Sequence, residues 1–200
     1  MQEIPTLFIR DPKMRLAINE VNPGCEWVLA GEGVATEKLD GTACAIIQGR
    51  FYKRLRIKEG KPAPEGWLHW DQDPAMTHGH GWVPVGDGPE DAYHREAWIS
   101  GEGLPDGTYE LIGPKVQGDS YGLEKHVLAL HGAHVLDAPR TYDALAQWLA
   151  ESPPIEGIVW HHPDGRYVKI KRRDFRLPWP MKPRFSMPEA TRGGADEPTS

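Results

Sequence analysis

Twenty-two glycines and 19 prolines cut this 200-residue chain into short apolar stretches. Ala43 to Ile47, Phe51 to Ile57, Thr108 to Ile112, Val127 to Leu130, Gly157 to His161 and Tyr167 to Ile170 are runs of four to seven residues, apolar or alternating, bounded by Gly, Asp and Pro. That length and punctuation predict strands rather than long helices. Gly49-Arg50 and Asp164-Gly165 read as hairpin turns, the second supplying the positive φ that a tight turn needs. Two antiparallel hairpins follow. One helix is predicted where Thr141 can cap, Asp143 lies in the first turn, Leu145, Trp148 and Leu149 share a face, and Pro153-Pro154 stop it. A second helix is expected over Pro12 to Val21. The stretch 61–107, dense in Gly, Pro, His, Trp and acids, reads as an insertion of long loops with a short strand near Gly81 to Val85. The apolar-poor tail 187–200 is expected to be disordered. Residues 1–186 then form one α+β domain built around antiparallel sheet.

No apolar run approaches the ~20 residues of a membrane-spanning helix. The first residues have neither a basic flank nor an apolar core, so no secretory signal is expected and the expected location is cytoplasmic. Cys25 and Cys44 form no CxxC and are expected to be small reduced thiols near a core. The net charge of −6 argues against a general polyanion binder, but the charge is sorted. Arg50, Lys53, Arg54, Arg56, Lys58 and Lys61 crowd one segment; Arg166, Lys169, Lys171, Arg172, Arg173 and Arg176 crowd another. Between them, residues 65–110 hold ten acids against Arg95 alone. Such sorting suits a local basic groove for phosphates, although two solvated strand edges explain it as well.

Four segments occur in order: Lys38-Leu39-Asp40-Gly41, Glu110 within Tyr109 to Gly113, Glu156-Gly157-Ile158-Val159, and Lys169-Ile170-Lys171. A lone KxDG is weak, but the ordered set resembles the covalent nucleotidyltransferase superfamily of DNA ligases, RNA ligases and RNA-capping enzymes. With Tyr121-Gly122-Leu123, His131-Gly132-Ala133, Asp164-Gly165, Trp179-Pro180 and Trp82-Val83-Pro84-Val85, it is most similar to the small ATP-dependent 5′-to-3′ RNA ligase family that includes the human RNA ligase. The similarity runs from about Ala35 to Pro180.

This resemblance implies an antiparallel-sheet nucleotidyltransferase domain, ATP-grasp-like in the manner of ligase adenylation domains. Only 29 residues follow Lys171, so no C-terminal oligonucleotide-binding (OB) barrel is expected. It implies that Lys38 attacks ATP to form a lysine–AMP, that AMP passes to an RNA 5′-phosphate, and that a 3′-hydroxyl then displaces it, a chemistry suited to RNA repair. Glu37, Asp40, Gly41, Arg54, Glu110, Glu156, Lys169 and Lys171 are the implied nucleotide-binding residues. Glu156 and Glu110 are implied to serve Mg2+ or Mn2+, directly or through water, and Asp40 to touch the ribose or a metal water. Arg56 rivals Arg54 for the ribose or the RNA 5′-phosphate. The implied partner is RNA with 5′-phosphate and 3′-hydroxyl ends, with no membrane involved.

The residue types suit that chemistry. A lysine near its usual pKa of ~10.4 is neutral in only about one molecule per thousand near pH 7.4, so a nucleophilic Lys38 needs nearby cations or burial, with Arg54, Lys169 and Lys171 the candidates. Lys169 and Lys171, two apart on a strand, point to one face and can meet one phosphate together. Glu110 and Glu156 sit in apolar strands, where a carboxylate needs a partner. Trp160 or Tyr109 would be a platform for adenine unless they are core, the commoner fate of strand aromatics. Trp67, Trp70 and Trp82 could stack on RNA bases. His78, His80, His161 and His162 lack the companions of a zinc site. The rivals are a DNA ligase or guanylyltransferase of the same superfamily and a noncatalytic RNA-end or nucleotide-binding module.

Overall fold

A computed structural model describes residues 4–70, 78–100, 103–151 and 154–181. In chain order the elements are β1 (Phe8–Arg10), β2 (Ala17–Val21), α1 (Glu26–Leu29), β3 (Val34–Lys38), β4 (Thr42–Ile47), β5 (Arg50–Ile57), β6 (Leu68–His69) and β7 (Gly79–Pro84). They continue with a 3-10 turn at Pro89–Asp91, α2 (Ala92–Ser100), β8 (Gly107–Ile112), β9 (Val127–Leu130), α3 (Tyr142–Glu151), β10 (Gly157–His161), β11 (Tyr167–Lys171) and a 3-10 turn at Arg172–Phe175. The fold is mixed α/β and dominated by sheet. Its named strands pair antiparallel throughout, in a six-stranded sheet ordered β6-β7-β5-β4-β8-β9, a three-stranded sheet β11-β10-β3, and the β1-β2 ribbon.

Both expected hairpins form. Between β4 and β5, Gln48 (φ 53°) and Gly49 (φ 70°) are both left-handed, the backbone that closes a two-residue turn with the twist of its strands. The β10-β11 turn closes through Gly165 (φ 90°). α3 also forms where expected, burying Leu145 and Leu149. The cluster under the small sheet joins these to Leu7, Phe8, Val28, Ala35, Ile158, Trp160, Val168 and Ile170.

Three elements correct the sequence reading. The helix expected over Pro12 to Val21 is a turn followed by β2. The Asp11 carboxylate takes the backbone N–H groups of Lys13 and Met14, Arg15 turns left-handed, and the chain then pairs with β1. The loop-like stretch 61–107 contains α2, started by Pro89 and docked through buried Ala97 on a cluster with Cys44, Ile46, Phe51, Tyr109 and Leu111. The lysine motif does not merely precede a strand: Lys38 ends β3, a strand whose Thr, Glu and Lys gave no apolar signal and which is held by β10. The expected tail 187–200 lies outside the described residues. No described helix is long and apolar enough to cross a membrane. Cys25 and Cys44 are buried free thiols, and burial pushes the Cys44 thiol far above its usual range, with the Glu110 charge adding to the effect.

Candidate functional site

Residues 39–41 carry the chain from the small sheet into the large one, and the site forms around that crossing. In the small sheet Lys38 stands opposite Gly157, which stands opposite Lys171, so the two lysines flank a position with no side chain. That position must be glycine: a Cβ there would lie 2.1 Å from the Ile170 carbonyl oxygen. Glu156, just before β10, reaches both lysines. Its Oε2 accepts from Lys38 Nζ at 2.5 Å and its Oε1 from Lys171 Nζ at 2.7 Å. A buried carboxylate thus has a cation on each oxygen, which answers the cost of burying it. Lys38 Nζ also donates to the Leu39 carbonyl at 3.2 Å.

Asp40 is a junction. Its Oδ2 accepts from Trp179 Nε1 and from Ser120 Oγ, each at 2.7 Å, while its backbone N–H donates to Tyr121 Oη at 2.8 Å. Burial, with the charges of Glu37, Asp40 and Glu156, raises the Tyr121 phenol well above its usual range against the opposing hydrogen bond from Asp40, so it stays protonated. Gly41 N–H donates to Glu110 Oε1 at 3.1 Å, and the other oxygen of Glu110 meets His131 Nε2 at 2.7 Å. A Cβ at Gly41 would meet the Leu111 carbonyl oxygen at 2.2 Å. Lys38, Glu156 and Lys171 are therefore joined by contact, as are Gly41 and Glu110, with Asp40 in the chain between Lys38 and Gly41.

The remaining candidates stand around this centre. Lys169, opposite Val159 and Thr36, shares the small-sheet face of Lys38 and Lys171. Glu37 alternates to the opposite face, and its carboxylate meets His134 Nδ1 at 2.6 Å. Arg54 is exposed on β5, on the same face of the large sheet as Glu110, because Glu110 opposes Ala43 and Ala45 opposes Tyr52. Arg56 shares that face. Trp160 and Tyr109 are buried in the two clusters and so offer no exposed ring face to an adenine. Trp82 is buried as well, and Trp70 stacks on His80 and leans on Trp82, so neither presents two open ring faces.

Sequence reading gave no role to Ser120, Tyr121, His131 or Trp179. Their segments stood out only within the family resemblance, because their partners lie 80 to 139 positions away or, for His131, 21 positions away on β8. The second basic cluster is spent largely on structure. Arg172 is buried and donates to the Leu149 and Pro178 carbonyls, and Arg173 donates to the Trp179 carbonyl, fastening the segment that holds Asp40. His161 Nε2 meets Thr36 Oγ1 at 2.8 Å, and burial, aided by nearby His131, holds its pKa below the usual value. Glu156, Glu110 and Asp40 are the carboxylates of this centre. Among the described residues, no three His, Cys, Asp or Glu side chains converge on one metal position.

Fold and centre together define a class: a mixed α/β protein of antiparallel sheet, carrying a lysine–carboxylate–lysine cluster that can hold an anion and exchange a proton. Comparison with known proteins finds similarity to one named family. A family model for RNA ligase 1 matches residues 97–189, the part that holds Glu110, Glu156, Lys169 and Lys171. The RNA ligase 1 of Danio rerio is 27% identical, covering 92% of this chain and 83% of its own length. That of Mus musculus is 28% identical over 74% and 68%, and that of Pongo abelii 31% identical over 60% and 50%. These matches support assignment of the chain to the RNA ligase family.

Proposed function

We propose that this protein is an ATP-dependent RNA ligase that works through a lysine–AMP intermediate on Lys38, on an antiparallel-sheet nucleotidyltransferase domain. The observation that carries the reading is the placing of Lys38 Nζ against Glu156 and beside Lys171, at the end of a strand that runs into Asp40-Gly41.

In the first step the Lys38 amine gives up a proton, for which Glu156 Oε2 is the acceptor in reach. Its nitrogen then bonds to the α-phosphorus of ATP as the bond to pyrophosphate breaks. Displacement at phosphorus develops charge on nonbridging and leaving oxygens, so positioned cations supply most of the catalysis. Lys171 and Lys169 are the cations on the right face, and Arg54 is set to meet the ribose or a phosphate from the large sheet. Gly41 lets the backbone approach closely, and Glu110, oriented by Gly41 and His131, takes the sugar or the hydrated ion. The carboxylates of Glu156 and Glu110 suit a hard divalent cation, Mg2+ or Mn2+, and would hold one; bound, it would neutralise phosphate charge. In the second step an RNA 5′-phosphate oxygen takes the adenylyl group and frees Lys38. In the third, a 3′-hydroxyl attacks the activated 5′-phosphate and AMP leaves. Repair of broken RNA is the role this chemistry serves.

The test is transfer of label from α-labelled ATP to protein. The parent is expected to carry a label that pyrophosphate removes, and Lys38→Ala is expected to carry none. Labelling that survives in Lys38→Ala overturns the reading. Label from GTP would point to a guanylyltransferase, sealing of DNA ends to a DNA ligase, and RNA binding with no adduct to a noncatalytic module.

A further inference from the structure

We infer that the open face of β5 is a binding track for the backbone of a single-stranded RNA. This rests on the reading of the protein as an RNA ligase for its choice of polyanion, though not for its geometry. On β5, Arg50, Tyr52, Arg54 and Arg56 alternate onto one face, while Lys53 turns to the other and is consumed by an ion pair with buried Asp91. The three arginines of the open face are exposed. Among the described residues, the lysine and arginine ion pairs belong to Arg10, Lys38, Lys53, Arg166 and Lys171, and none involves Arg50, Arg54 or Arg56.

Two of these guanidinium groups are held in place by rings rather than by acids. Arg50 lies 5.8 Å from the centroid of Tyr52, and Arg54 lies 5.8 Å from that of Trp70, itself backed by His80 and Trp82. A guanidinium resting on an aromatic face keeps its in-plane N–H donors for a phosphate and loses little rotamer freedom when one arrives. With a strand rise of ~3.3 Å per residue, Arg54 and Arg56 stand about 6.6 Å apart and Arg50 about 13 Å from Arg54. They form a row of donors, two of them held on rings, and the rings behind are already occupied. Such a surface grips a backbone and leaves the bases unread, as in sequence-tolerant strand binding.

The row also leads somewhere. β5 runs antiparallel to β4, so its Arg56 end lies beside the end of β4 where Thr42 follows Gly41, and Arg54 shares its sheet face with Glu110. A strand lying along β5 would bring its terminus to the crossing that holds Lys38. The second basic cluster offers no comparable row, because Arg166 is paired with Asp164 and Arg172 and Arg173 are tied to backbone carbonyls.

The experiment measures binding of a fluorescent single-stranded RNA to the full chain across a salt series, for the parent, for Arg50→Gln, for Arg50→Gln/Arg56→Gln and for Arg50→Lys/Arg56→Lys. Labelling by ATP is read in parallel. The Gln pair is expected to bind about tenfold more weakly, with a salt slope shallower by roughly 1.4, about 0.7 for each single-strand phosphate that is no longer neutralised. The Lys pair is expected to regain the slope, and Arg50→Gln alone, far along β5 from the centre, is expected to show about half of that slope change while keeping ATP labelling at the parent level. Unchanged affinity and slope in the Gln pair, tighter binding of an RNA duplex by the parent, or loss of ATP labelling in Arg50→Gln would each overturn the track. A parent that takes no AMP, yet binds RNA through these arginines, would sink the ligase reading and leave the track standing.

Discussion

Glu156 illustrates how much one side chain can be asked to do. It is buried, and each of its oxygens is held by a different ammonium, so replacing it with Gln removes the charge while keeping the shape. Two lysines would then face each other across Gly157 with no negative charge between them. Glu156→Gln is expected to lower the rate of Lys38 labelling by roughly a hundredfold, the scale of losing one positioned electrostatic partner. Single-turnover labelling at saturating ATP checks this, and a rate within threefold of the parent would count against the role. Lys38, Glu110, Glu156 and Lys171 were singled out by the ordered motifs and the family resemblance; residue types by themselves said only that a carboxylate in an apolar strand needs a partner and that lysines two apart share a face. Asp40 was legible as a site residue but its partners were not. Trp179 is 139 positions away, and no local pattern encodes a contact of that range.

At the scale of elements, the centre depends on β3 and β11 flanking β10 in register. Gly157 is the pin of that register, since its missing Cβ leaves room for the Ile170 carbonyl and Lys171 Cα. Gly157→Ala is expected to cost about 3 kcal/mol through overpacking, seen as a lower midpoint in denaturant with an unchanged slope. Where strands alternate or run apolar, as in β4, β5, β10 and β11, the sequence displayed them. β3 escaped because Thr36, Glu37 and Lys38 carry no apolar signal, so local pattern and final placement disagree there. α2 escaped for a different reason: its anchor on the large sheet is a single buried residue, Ala97, too little to mark a periodic stripe.

For the whole molecule, acid should act in two stages. Burial holds the imidazoles of His94 and His161 below their ordinary value near 6.5; for His94 the charge of Asp91 pulls the other way, and for His161 nearby His131 adds to the effect. The unfolded chain then binds more protons, so stability falls as pH drops through about 6.5 toward the lower folded values. The second stage belongs to Asp91. Burial would raise its carboxyl, but the hydrogen bonds from Lys53 and Gly86, with the charges of Lys53 and His94, outweigh it and leave the pKa below the usual 3.8. Its contribution is present above 3.8 and is lost as pH falls from there through the folded value. Denaturation midpoints measured from pH 8 to pH 2 are expected to show both declines. Asp91→Asn should remove the second and lower stability at pH 7 by about 2–4 kcal/mol, reduced from the fully buried case because Lys53 retains some water contact.

What the chain determined by itself was its segmentation into short strands, its two hairpins, α3, and the inventory of lysines and carboxylates, since turns, caps and alternation act over a few residues. The tertiary structure decided which charges remain open and which are consumed. Lys53, Arg172 and Arg173 looked like their neighbours in sequence yet are spent on Asp91 and on backbone carbonyls, while Arg50, Arg54 and Arg56 are left facing outward. Burial and pairing are properties of packing, and packing joins residues that the sequence keeps a hundred positions apart.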